Sequence, residues 1–288
     1  MPILLAVMRW CARMPLAALH FFGAGLGWLV YGLSPTYRRR CRENLQASGV
    51  CADALTYRRT LRAVVGETGK SITELSKIWF GRDEEITRLV SCADWHVVAA
   101  AQRAGKGVIF LTPHLGCFEI SAWYGAQRLP LTVLYRPPKR ANLEPLMQAG
   151  RARGRVRLAP ATLAGVRQLY KALRRGEAIG ILPDQAPGVG EGVWVDFFGR
   201  PAYTMTLVSR LQETSGAAVI MAFAERLPQG QGYVLHLSPV VDTPLDAAAL
   251  NLAVERVVRT CPAQYLWGYN RYKEPAGAAP RQAVQSAK

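Results

Sequence analysis

Histidine and acidic side chains are scarce in this chain: four His and 20 Asp plus Glu stand among 288 residues, against 36 Lys plus Arg. The formal charge of +16 implies regular dealings with polyanions: nucleic acid, an anionic membrane face, or a phosphorylated or acidic substrate. Charge of either sign is thin, at 19% of residues against 50% hydrophobic, which excludes intrinsic disorder and leaves apolar material for a core. The length admits one large α/β domain or two small ones.

Other absences narrow the chemistry. The six cysteines (Cys11, Cys41, Cys51, Cys92, Cys117, Cys261) include no Cys-x-x-Cys pair and no His at ligand spacing. Reduced, scattered thiols are expected, with neither a metal site nor a disulfide framework. No G-x-S-x-G occurs, and Ser71 and Ser209 fall in helical stretches, so no nucleophilic serine is in view. GETGKS at 66–71 imitates the end of a P-loop, but Val64 stands where a glycine is needed and the preceding pattern is helical. No nucleic-acid-binding motif accompanies the positive charge, so a basic, membrane-tethered binding protein is the non-enzymatic alternative.

Residues 14–33, MPLAALHFFGAGLGWLVYGL, carry no Asp, Glu, Lys or Arg and are long enough to cross a hydrocarbon core. Gly23, Gly25, Gly27 and Gly32 weaken a soluble helix yet are common in membrane helices, and Trp28 and Tyr31 sit where interfacial aromatics gather. The run leads into TYRRRCRENL rather than a small-residue cleavage site, so a retained membrane anchor is expected over residues 1–34. Arg38, Arg39, Arg40 and Arg42 after it outweigh Arg9 and Arg13 before it, which places the following residues in the cytoplasm.

Residues 50–104 look helical, with Ile72, Leu75, Ile78 and Trp79 as one apolar stripe. After Gly105, short aliphatic runs alternate with helical patterns: GVIFLTPH, LTVLYRPP, AIGILPDQ, AAVIMAFAER and YVLHLSPVV are the strand-like ones. This texture predicts an α/β domain over residues 35–275, a largely parallel sheet flanked by helices, with residues 276–288 as a loose tail. Gly176 and Gly216 are expected helix stops, the latter after a helix from Thr204 to Ser215.

Three strands end in a Pro-flanked polar residue: His114, Arg136 and Asp184. In open parallel sheets the ligand crevice lies beyond the carboxyl ends of the strands, so these three should converge. LTPHLGCFEI adds an acid five residues after His114. With His114 in the turn and Glu119 in the first turn of the next helix, the carboxylate is expected to accept the Nδ1 proton, leaving Nε2 as a general base. Backbone N–H groups near Gly116 are candidate oxyanion donors. Arg136 and Arg151 suit bidentate phosphate binding.

With these residues in hand, the chain resembles the bacterial lipid A biosynthesis acyltransferases, a lauroyl and myristoyl transferase family related to lysophospholipid acyltransferases. The likeness runs through the apolar anchor, RRRCRENL, LTPHLGCFEI, YRPPKRANLEPLMQAGRAR, ILPDQAPG, VWVDFFGRPAYT and QYLWGYNRYK. It implies fatty acyl transfer from acyl carrier protein, or a coenzyme A thioester, to a hydroxyl of a lipid A precursor at the cytoplasmic face of the inner membrane, by a single-pass or monotopic enzyme without a cofactor. It also implies that His114 and Glu119 are catalytic, and that Arg151 and Asp184 match family positions, with Arg153 and Gln185 in support. The ending Gly-Tyr-Asn-Arg-Tyr at 268–272 departs from the commoner His-Arg-Arg-Phe, which leaves lyso-ornithine lipid or a lysophospholipid open as acceptors.

Overall fold

The computed structural model describes residues 2–138, 140–241 and 245–278, so most of the expected C-terminal tail lies outside the described residues. Four helices come first: α1 (Pro2–Cys11), α2 (Leu16–Leu33), α3 (Pro35–Ala47) and α4 (Ala54–Phe80), followed by α5 (Asp83–Arg88), β1 (Val90–Ser91) and α6 (Trp95–Arg103). The alternating part then runs β2 (Val108–Leu111), α7 (Phe118–Ala126), β3 (Leu131–Tyr135), α8 (Glu144–Arg151), β4 (Val156–Pro160), α9 (Leu163–Arg174) and β5 (Ala178–Ile181). It closes with β6 (Gly192–Phe197), β7 (Arg200–Met205), α10 (Leu207–Ser215), β8 (Ala218–Arg226), β9 (Tyr233–Pro239) and α11 (Ala247–Thr260).

Seven strands form one sheet in the order β1-β9-β8-β2-β5-β3-β4. Every neighbouring pair is parallel except β8 and β9, whose short connection leaves no room for a crossover. The expected largely parallel α/β sheet is therefore present. All four residues of β2 and of β5 are buried, as central strands covered on both faces must be. The side-chain alternation divides the core. Ile109, Leu111, Ile179 and Ile181 face the cluster that contains α9 and α11, while Val108, Phe110 and Ala178 face the one that contains α7 and the end of α4.

Three local expectations change. Thr204 and Met205 belong to β7, not to a helix, because VWVDFFGRPAYT folds into the antiparallel β6–β7 hairpin and α10 starts at Leu207. Along α4 the buried face includes Glu74, Ser76 and Lys77, whereas Ile72 is exposed. GETGKS lies inside α4 with no strand before it, so the P-loop likeness has no structural counterpart.

The N-terminal segment is not set apart from the rest. α2 lies along α4 and buries Leu16, Leu19, His20, Gly23 and Gly27. The approach is so close that a Cβ at Gly27 would overlap the Val65 carbonyl oxygen, and one at Gly69 would overlap the Gly23 carbonyl. Glycine is needed at this crossing because the backbones themselves touch. His20 Nε2 lies 3.3 Å from Glu74 Oε2, tying α2 to a buried charge on α4. The opposite face is bare and apolar: Phe21, Phe22, Leu29 and Leu33 on α2, with Ile3 and Trp10 on α1, are all more than half exposed. Among the described residues α2 is the helix long and apolar enough to cross a membrane by length and composition.

Candidate active site

β2 and β5 run side by side in register, with Leu111 opposite Ile181. Beyond each strand end the chain passes a proline and reaches, at the same offset of three residues, His114 and Asp184. Equal offsets on paired parallel strands bring the two side chains together. His114 donates its backbone N–H to Asp184 Oδ2 at 2.9 Å, and its Nδ1 lies 2.8 Å from Oδ1. The ionised carboxylate can only accept, so Nδ1 carries the proton and Nε2 holds the lone pair. The Gln185 amide nitrogen donates to that Nε2 at 3.0 Å. Asp184 is 3% exposed. Burial pushes its carboxyl up, but its electrostatic interaction with the adjacent His114 ring and the hydrogen bonds from His114 outweigh this and hold it below its ordinary value.

Glu119 does not orient the imidazole. It sits in the first turn of α7 as expected, but both oxygens are held elsewhere: Arg151 Nε donates to Oε1 at 2.9 Å and to Oε2 at 3.2 Å, Arg151 Nη2 also bonds Oε1, and the Trp79 indole donates to Oε2 at 3.1 Å. Sequence proximity favoured Glu119, whereas the strand register delivers Asp184. Arg151, expected to suit bidentate phosphate binding, turns its Nε–Nη2 edge to Glu119. Gly150, just before it, is required because a Cβ there would enter the Trp79 ring.

Arg153 lines the same cleft as His114 and ties it to the end of α4. It donates to the Ile78 carbonyl at 2.7 Å and the Gly81 carbonyl at 2.8 Å and pairs with Asp83, satisfying the C-terminal end of α4. Arg136, at the end of β3, is exposed on the rim of the same cleft as His114. That cleft encloses about 550 Å³, and its walls include Val133, Leu134, Leu158, Val166, Leu182 and Leu207. A largely apolar cleft with an imidazole in its wall suits a long acyl chain with a polar reactive end.

The backbone N–H groups around Gly116 are not free for an oxyanion. Leu115 N–H bonds the Pro113 carbonyl, Gly116 N–H the Gln264 carbonyl, and Cys117 N–H the Ala224 carbonyl. Gly116 itself has φ +60°, and a Cβ would strike the Ala224 carbonyl, so its glycine serves the turn.

Two groups of residues around the site were missed. The C-terminal segment braces the loops that carry His114 and Asp184: Leu266 N–H donates to the His114 carbonyl at 3.1 Å, and the Tyr269 hydroxyl accepts from Ala186 N–H at 3.2 Å. The unusual ending at 268–272 is thus part of the loop support. Arg226, at the end of β8, donates to the Gly116 carbonyl at 2.7 Å and to both oxygens of Glu74. Burial pushes the Glu74 carboxyl up, but Arg226 beside it and the hydrogen bonds from Arg226 and His20 bring it down to about 2. A charged residue closing the apolar run AAVIMAFA was the available signal for Arg226. All six cysteines are free.

Comparison with known proteins gives the family. The family model described as bacterial lipid A biosynthesis acyltransferase matches residues 2–274. The chain is 27% identical to the lipid A biosynthesis lauroyltransferase of Escherichia coli (strain K12), covering 96% of this chain and 92% of that protein. It is 26% identical to the palmitoleoyltransferase of the same strain over 95% and 91% of the two chains, and 30% identical to a lipid A biosynthesis acyltransferase of Haemophilus influenzae over 93% and 88%. A match this long takes in the N-terminal helices, the sheet and the bracing segment behind His114 alike, so the chain belongs to the bacterial lipid A biosynthesis acyltransferase family.

Proposed function

We propose that this acyltransferase moves a fatty acyl group from an acyl carrier protein thioester to a hydroxyl of a lipid A precursor, with His114 as general base and Asp184 as its orienting carboxylate. The observation that carries the reading is the Asp184–His114 hydrogen bond at 2.8 Å, with His114 lining a largely apolar cleft. His114 Nε2 takes the acceptor's hydroxyl proton, the oxygen attacks the thioester carbonyl, and the C–S bond breaks as the imidazolium returns a proton to the departing thiolate. Asp184 stays ionised and stabilises the imidazolium. No covalent acyl-enzyme, metal or cofactor enters this sequence. Glu119 acts by holding Arg151 at the cleft wall, and Arg136 on the rim is placed for a phosphate of either substrate.

The protein works at the cytoplasmic face of the inner membrane, and the packing of α2 favours a monotopic arrangement over a spanning one. A crossing α2 would drag the touching stretch of α4, with Glu67, Lys70, Glu74 and Lys77, into hydrocarbon. Lying in one leaflet with Phe21, Phe22, Leu29 and Leu33 downward, the same helix needs no such burial.

The test is mass spectrometry of membrane lipids from cells with and without the gene, together with a His114→Ala version. An acyl mass added to a phosphorylated disaccharide lipid, absent without the gene and absent with His114→Ala, is the expected result. The added mass on an ornithine lipid or a phospholipid instead would replace the acceptor, and an unchanged lipid profile would overturn the reading.

A further inference from the structure

The transition state of acyl transfer carries an oxyanion, and the backbone donors nearest His114 are already engaged: His114 N–H by Asp184, Leu115 by Pro113, Gly116 by Gln264 and Cys117 by Ala224. A buried oxyanion without a donor is expensive, so either the first turn of α7 or a side chain must face it. The donor in direct contact with the base is the Gln185 amide, 3.0 Å from Nε2. Its neighbours hold it there. Asp184 on one side is fixed by two bonds to His114, and Ala186 on the other is fixed by the Tyr269 hydroxyl.

In this state Gln185 occupies the lone pair that the acceptor hydroxyl must use. The hydroxyl can reach Nε2 only by displacing the amide. The displaced amide keeps two N–H groups beside the base, where the attacked carbonyl must come. We infer that Gln185 is a catalytic residue: it caps His114 Nε2 at rest and donates to the oxyanion once the acceptor hydroxyl has taken its place.

The step balances as follows. The acceptor O–H proton passes to Nε2, the new C–O bond forms, and the carbonyl π pair moves onto oxygen, where the amide N–H groups meet it. Collapse of that oxyanion expels the thiolate, which takes the proton from the imidazolium.

This inference rests on the acyltransferase reading, so the experiment separates the two. The full chain in detergent micelles is assayed with lauroyl-, myristoyl- and palmitoleoyl-acyl carrier protein thioesters and a phosphorylated lipid A precursor. Wild-type protein that transfers none of these chains overturns the functional reading and this one together. With an active wild type, Gln185→Ala should lower kcat by roughly 10²-fold with KM for both substrates nearly unchanged. Gln185→Glu, of the same shape but with a carboxylate in place of the donor, should lose at least as much. A purely structural role would spare Gln185→Glu or raise KM, and either outcome overturns the assignment. Full kcat in Gln185→Ala overturns it as well, leaving the oxyanion to the first turn of α7.

Discussion

At the scale of single residues, three carboxyl or imidazole side chains can be ranked by what each touches. His114→Ala removes the base and should lower kcat by roughly two to four orders of magnitude. Asp184→Asn should come close to it, because an amide at Nδ1 leaves the imidazolium unsupported and permits the wrong tautomer. Glu119→Gln should leave the base intact and act through Arg151, whose guanidinium would lose its charged partner. Measured kcat for the three variants should therefore fall in the order His114→Ala and Asp184→Asn together, then Glu119→Gln. The reverse placement of the two acids would restore Glu119 as the orienter.

The elements carry the membrane question. α2 is polar nowhere on its outer face, yet on its inner face Gly23 and Gly27 accept α4 at backbone contact. A helix held this way cannot leave the domain to span the bilayer alone. In inverted inner-membrane vesicles from a background without the other thiols, Cys11 and a cysteine at position 34 should both react with a membrane-impermeant maleimide. Reaction at 34 with Cys11 protected would mean that the helix crosses. Salt washing should leave the protein on the membrane in either case, since apolar burial is not screened.

Over the whole molecule, one buried network joins α2 to the turn that carries His114. His20 on α2 meets Glu74 on α4, Glu74 meets Arg226 on β8, and Arg226 holds the Gly116 carbonyl two residues from the base. Tyr233 on β9 also donates to Glu74 at 3.0 Å. The Glu74 carboxyl is held at about 2 against an ordinary 4.5, so its folded value is depressed. The stabilisation is complete above pH 4.5 and is lost as the pH falls toward about 2. Glu74→Gln leaves the Arg226 charge, 2% exposed on its side chain, with Glu67 at 3.4 Å as its one remaining carboxylate partner among the described residues, and should cost about 3 kcal/mol. Thermal melts across that pH range should show the wild type losing stability and the variant, lower at the start, losing less. A wild-type curve that stays flat would show that Glu74 is not the titrating group.

What the sequence alone determined follows from short-range rules. Periodicity and strand texture yielded the parallel α/β domain, Pro-flanked strand ends yielded the convergence of His114 and Asp184, and the uncharged run at 14–33 yielded the apolar N-terminal helix. These depend on patterns within a few residues, which one chain displays. The partner of the His114 ring was different in kind. Asp184 is 70 residues away and reaches Nδ1 because β2 and β5 pair in register, while Glu119, five residues away, is turned toward Arg151 and Trp79. Register between distant strands, the backbone contact of Gly23 and Gly27 with α4, and the Glu74–Arg226 network are products of tertiary packing. Their physical cause is mutual burial of segments far apart in the chain, and no local pattern encodes which buried charge will meet which.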